Sequence, residues 1–146
     1  MPEIKNEAKV VSMLLVEDDE VDAMGIRRAF KQRRISNPLI RAHDGMEALE
    51  ILRSKRVVMP FLILLDLNMP RMGGIEFLQH LRQDKQLKKS VVFVLTTSKS
   101  DEDMMAAYVL NVAGYIVKGE LTGSFDELVD MLNGYWQIVE LPRQES

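Results

Sequence analysis

Short apolar runs alternate with amphipathic stretches about five times along the chain, the pattern of strand and helix units wound around a parallel sheet. The runs predict strands at residues 11 to 17, 38 to 42, 61 to 65, 91 to 95 and 114 to 117. The first, third and fourth are almost wholly apolar, which suits strands covered by helices on both faces and places them at the centre of the sheet. Residues 20 to 32 set Ala23, Ile26, Ala29 and Phe30 on one side and Arg27, Arg28 and Lys31 on the other, a helical spacing. Helices are likewise predicted over 46 to 54, through Ala48, Leu49 and Leu52, and over 74 to 84, through Ile75, Leu78 and Leu81. A fourth is expected to start at an Asp101 cap, with Met104, Ala107, Tyr108 and Leu110 as its apolar contacts, and a fifth at a Ser124 cap.

Five strands joined by right-handed crossovers predict an α/β doubly wound parallel sheet of order 2-1-3-4-5, a three-layer sandwich. In that order the first and third strands lie side by side at the topological switch point, where ligands bind. Glu17 and Asp18 close the first strand and Asp66 closes the third, so three carboxylates are expected to converge there. Their repulsion is costly unless a hard cation or shared protons relieve it. A divalent ion with oxygen ligands is the natural expectation.

Composition narrows the chemistry. One domain is expected from 146 residues of which 47% are hydrophobic, with residues 1–10 an N-terminal extension, 11–139 the domain and 140–146 a tail. A net charge of −3 gives no basic field for nucleic acid or an anionic membrane, so neither is expected as a partner. The absence of cysteine excludes disulfides and thiolate sites, and two histidines, His43 and His80, make zinc improbable. No apolar run reaches the roughly 18 residues of a membrane helix and the start lacks a signal-peptide core, so a cytoplasmic protein is expected.

Four segments occur in one order with suitable gaps: Leu14-Leu-Val-Glu-Asp-Asp19, Leu64-Leu-Asp-Leu-Asn-Met-Pro70, Leu95-Thr96 and Tyr115-Ile-Val-Lys118. Together they resemble the response-regulator receiver domain over about residues 11 to 139. The resemblance implies a flavodoxin-like, CheY-like fold and a member of a two-component phosphorelay. It implies that Asp66 accepts a phosphoryl group from a sensor histidine kinase or a phosphotransfer protein. By the same resemblance Glu17, Asp18, Asp66 and the carbonyl of Asn68 hold Mg2+, while Asp19 falls outside that set. Lys118 matches the lysine that pairs with the acceptor and then the phosphoryl group, Thr96 the hydroxyl that moves toward it, and Tyr115 the aromatic switch residue. The domain is expected to catalyse its own phosphoryl transfer and dephosphorylation rather than turn over as an ordinary enzyme, and to signal through protein contacts.

Gly119 stands where most receivers carry a proline after the lysine. That departure, with Tyr135-Trp136 followed by Leu141-Pro142, resembles stand-alone regulators paired with phytochrome-type histidine kinases. In the fifth helix Phe125, Leu128, Leu132, Tyr135 and Val139 form an inward stripe, yet Val129, Met131, Trp136 and Ile138 extend apolar surface around the circumference. Homodimerisation is therefore expected through the side formed by the fourth helix, fifth strand and fifth helix, with Val129, Trp136 and Ile138 at the interface; the competing explanation is a wide core stripe with the tail folded back. Three other functions compete with phosphoryl acceptance. A magnesium-dependent phosphatase of the aspartyl-nucleophile type resembles an Asp-x-Asp pair around its nucleophile, whereas Asn68 stands two residues beyond Asp66. A flavodoxin-like electron carrier needs a hydroxyl- or glycine-rich phosphate loop after the first strand, where Glu17, Asp18 and Asp19 would repel phosphate. A degenerate receiver serving only as an interaction module is disfavoured by the intact acidic set.

Overall fold

The computed structural model describes residues 10–143, so most of the expected N-terminal extension and the last three residues of the tail lie outside the described residues. Five strands, β1 (Ser12–Val16), β2 (Leu39–Ala42), β3 (Phe61–Leu65), β4 (Val91–Thr96) and β5 (Gly114–Val117), form one parallel sheet in the order β2-β1-β3-β4-β5. Helices α1 (Glu20–Gln32), α2 (Gly45–Arg53), α3 (Gly74–Gln83), α4 (Asp101–Val109) and α5 (Asp126–Ile138) connect and cover it, with one 3-10 turn at Lys118–Glu120.

The sheet is dry on both faces because each central strand sends alternate side chains to two different cores. Leu14, Val16, Ile63, Leu65, Val92 and Val94 meet Leu49, Leu52, Phe77, Leu78 and Leu81 of α2 and α3, with Ala107 of α4. Met13, Leu15, Leu62, Leu64, Phe93 and Leu95 meet Ile26 and Phe30 of α1 and Leu128, Val129, Leu132 and Trp136 of α5. A strand apolar at every position is thus the one that must sit between two helical layers.

Two of the expected helix starts shift. Ser100, not Asp101, caps α4, its hydroxyl accepting from the Asp103 N–H at 3.1 Å. Phe125 occupies the cap position of α5 without a side-chain bond, while the Ser124 hydroxyl one residue earlier accepts from the Asp126 N–H at 3.3 Å. Of the apolar contacts expected from α4 only Ala107 is buried, and Tyr108 is exposed.

The dimer interface expected on α5 needs a larger correction. Val129 and Trp136 are 0% and 1% exposed, so they cannot offer a surface to a second chain; Ile138, at 82%, is the member of the trio left outside. The broad apolar face exists because α5 packs on the sheet and on α1 together. Trp136 sits 6.1 Å from the Phe30 ring, and Leu141 of the tail turns back into the same core.

On the other side of the sheet Asp44 caps α2. It accepts from the Glu47 N–H at 2.9 Å and from Arg71 Nε at 2.7 Å, tying α2 to the loop between β3 and α3. Burial alone would push the Asp44 carboxyl up, but the Glu47 N–H and then the Arg71 guanidinium outweigh it and hold the group below its ordinary value. A carboxyl depressed in the folded state contributes stability above its unfolded pKa and loses it as pH falls through the folded value. Asp44→Ala should therefore cost about 1–2 kcal/mol in urea unfolding at neutral pH. The gap from wild type should close only below about pH 4.

Candidate functional site

The site lies at the carboxyl ends of the strands, and the backbone sets its spacing. Val16 of β1 pairs in register with Leu65 of β3, so the residues that follow, Glu17 and Asp66, leave the sheet side by side. The Asp66 N–H donates to the Val16 carbonyl at 3.0 Å and the Glu17 N–H to the Ala42 carbonyl at 3.0 Å, which prolongs the ladder through both residues. Arg41 of β2 donates from Nε to the Glu17 carbonyl at 2.9 Å and pairs with Glu20 at 2.8 Å. Gly74 opens α3 against this edge: a Cβ there would stand 2.6 Å from the Asp66 carbonyl oxygen and 2.7 Å from Leu67 Cα, so the close approach requires glycine.

Glu17, Asp18 and Asp66 each bring a carboxylate oxygen within 4.8 Å of the others. Glu17 and Asp66 are buried, whereas Asp18 faces solvent. Lys118, at the end of β5, reaches across the edge to them. Its Nζ lies 2.7 Å from Asp22 Oδ2, 3.0 Å from Glu17 Oε1 and 3.6 Å from Asp66 Oδ2. The contact with Asp22 is a well-aligned hydrogen bond; that with Glu17 is a buried ion pair of poorer alignment. Burial first, and the Asp66 charge second, raise the Glu17 pKa to about 7, against the opposing pull of Lys118. For Lys118 burial would lower the pKa, but Asp22 and Glu17, then Asp66, more than offset it and hold the ammonium above its usual value.

One lysine therefore does not neutralise this edge. A buried carboxylate oxygen that shares its lysine with two other acids, two further carboxylates around it and a set made only of oxygen donors suit a hard divalent cation.

Asn68 and Thr96 join the same edge. The Asn68 N–H leans on Asp66 Oδ1 at 3.3 Å, and its side-chain amide lies 3.5 Å from Thr96 Oγ1. Thr96 ends β4 fully buried, its hydroxyl also accepting from the Ser98 N–H at 3.4 Å. Tyr115 stands further out: half-buried against the core under α4, it donates from its hydroxyl to the Ser98 carbonyl at 3.1 Å. It meets the Thr96 side through that loop, not directly. Asp19 caps α1, accepting from the Asp22 N–H at 3.0 Å, as befits a residue outside the acidic set. His43 bonds Glu47 at 2.9 Å on an exposed helix start and takes no part in the site.

Sequence reasoning missed Asp22 and Arg41. The signal for Asp22 was its place in the first turn of α1, three residues after the cap and on the side of the sheet edge. Nothing in the linear order announces that a lysine 96 positions later lands on it.

A 2-1-3-4-5 sheet with acidic ends on β1 and β3 and a lysine arriving from β5 defines a receiver-type signalling domain. The chain belongs to the response regulator receiver domain family, whose model matches residues 13–133. It is 35% identical over 147 residues to the response regulator Rcp1 of Synechocystis sp., covering 97% of this chain and 99% of that one. The crystal structure of the Mn(2+)-bound form of Rcp1 superposes with a TM-score of 0.76 at 35% identity over 91% of this chain and 99% of that chain. The phosphorylated cyanobacterial phytochrome response regulator RcpA gives 0.79 at 31% identity, over 92% of this chain and 100% of that one. A response regulator receiver domain from Rhodospirillum rubrum gives 0.81 at 27% identity, over 93% and 100%. Among the described residues no helix is long and apolar enough to cross a membrane.

Proposed function

We propose that Asp66 is the phosphoacceptor of this response regulator, taking a phosphoryl group from a phosphohistidine on a sensor histidine kinase, or on a phosphotransfer protein, with Mg2+ bound by Glu17, Asp18, Asp66 and the Asn68 carbonyl. The observation that carries the reading is the convergence of Glu17, Asp18 and Asp66 within 4.8 Å beside Lys118. In the transfer an Asp66 carboxylate oxygen forms a bond to phosphorus as the phosphorus–nitrogen bond of the donor breaks, its electron pair staying on the imidazole. Mg2+ supplies charge neutralisation to the phosphoryl oxygens. Lys118 offers a compact cation with three N–H donors, and Thr96 a hydroxyl that can donate to a phosphoryl oxygen. Neither needs to form a covalent bond, because positioning and electrostatics carry most of phosphoryl transfer. Hydrolysis of the acyl phosphate by water returns Asp66 and inorganic phosphate.

Two of these relatives support the finer parts of this reading: Rcp1 has been crystallised in a Mn(2+)-bound form, and RcpA is a phosphorylated cyanobacterial phytochrome response regulator. On that ground the kinase is proposed to be of phytochrome type. Tyr115 is assigned the state-sensing role through its hydrogen bond to the loop after Thr96.

Incubation with acetyl phosphate tests the metal directly. Labelling that is acid-stable and released by hydroxylamine should accumulate with magnesium and fall at least about a hundredfold with EDTA, the loss of several kcal/mol of charge stabilisation. Labelling indifferent to chelation would overturn the metal assignment.

A further inference from the structure

The proposed acceptor, Asp66, is the most distant of the three carboxylates around Lys118. Asp22 holds the hydrogen bond at 2.7 Å, Glu17 lies at 3.0 Å and Asp66 at 3.6 Å. The Asp22 side chain is 25% exposed and that of Lys118 12%, so the pair is screened less than a surface pair would be. The position of Asp22 does not depend on that contact. Its backbone N–H donates to the Asp19 cap at 3.0 Å, and it sits in the first turn of α1. Lys118 follows Val117, the last residue of β5, and begins a short 3-10 turn. Two fixed backbones therefore meet through one flexible lysine stem.

We propose that Asp22 is a positioning residue that holds Lys118 against α1 in the unphosphorylated protein and competes for it with a phosphoryl group on Asp66. This rests on Asp66 being the acceptor. A phosphoryl group presents a charge of about −2 and three acceptor oxygens, by analogy with other phosphorylated side chains, and so draws the ammonium more strongly than Asp66 alone. Lysine can change partner by rotating its stem, without backbone movement. The free energy of the Asp22 contact then opposes the phosphorylated arrangement, as any interaction made only in one of two states must. The same contact joins α1 to the end of β5, so phosphorylation releases α1 from that tie.

Asp22→Asn keeps the backbone bond to Asp19 and the side-chain shape while removing the charge. Glu20→Gln removes the same charge from the same helical turn, where Glu20 pairs with Arg41 and not with Lys118. With phosphoramidate and magnesium the Asp22→Asn protein should label about threefold faster than wild type, the scale of one partly exposed ion pair. Glu20→Gln should recover little of that gain, and Asp22→Glu should return toward wild type. In protein without donor or metal, the NMR resonance of the Lys118 ammonium should shift in Asp22→Asn and stay in place in Glu20→Gln. Labelling in Asp22→Asn equal to or slower than wild type overturns the proposal, as does equal acceleration in Glu20→Gln. If wild type takes no label, the acceptor assignment fails on its own; an unmoved Lys118 resonance in Asp22→Asn then still overturns the hold by Asp22.

Discussion

An Asp66→Asn protein will take up phosphoryl groups from acetyl phosphate and magnesium more than about a hundredfold less than wild type, because the nucleophile itself is gone. The carboxamide fills nearly the same volume, so the loss is chemical and not structural. Stability should move the other way. In chelated buffer wild type keeps Glu17 and Asp66 side by side at a buried edge, where the Asp66 charge disfavours charge on Glu17. Neutralising Asp66 removes that repulsion, and the variant should melt at or above the wild-type temperature. Magnesium should then raise the wild-type melting temperature by ligand linkage and the variant's by much less. Labelling retained in the variant would sink the acceptor assignment; a variant much less stable than wild type would show that the acidic edge is held by something other than mutual repulsion and its relief.

Trp136→Ala is expected to cost about 3–5 kcal/mol, a large share of the roughly 5–15 kcal/mol that holds a domain of this kind folded. Trp136 is among the largest fully buried side chains, packed with Phe30 of α1 and the apolar stripe of α5. Alanine would leave a cavity where α1, α5 and the sheet meet, and the helices can close it only in part. Urea unfolding should show a lower midpoint with an unchanged slope. Ile138→Ser, two residues on and almost wholly exposed, should stay within about 0.5 kcal/mol of wild type. A Trp136→Ala protein of full stability but altered sedimentation would restore the interface that the buried position contradicts.

These two outcomes mark what was legible in the sequence. The central strands were readable because burial on both faces leaves no polar position between residues 61 and 65, and the acids that follow could only be at a strand end. The order of the sheet then follows from crossover handedness, and with it the meeting of Glu17 and Asp66. Helix α1 was readable from end to end because its apolar stripe is narrow; the Asp19 cap that starts it was not read from the sequence. Helix α5 was not, because periodicity measures how wide an apolar face is and not what lies against it. Val129 and Trp136 serve a second internal neighbour, α1, instead of a second chain. Tyr108 of α4 is the reverse error, an aromatic at helical spacing that remains outside. Asp22 escaped for a related reason: a side chain acquires its role only when a distant segment arrives.

The reach of Lys118 carries one more consequence. The acidic edge comes from the first half of the chain, but the lysine that pairs with it comes from after the last strand. A growing polypeptide therefore makes its acids well before the lysine that pairs with them, and the proposed acceptor site becomes complete only when β5 has docked. Completion of the site is thereby tied to completion of the fold: a chain cut short before residue 118 would carry the carboxylates of the proposed acceptor site without the lysine that pairs with them.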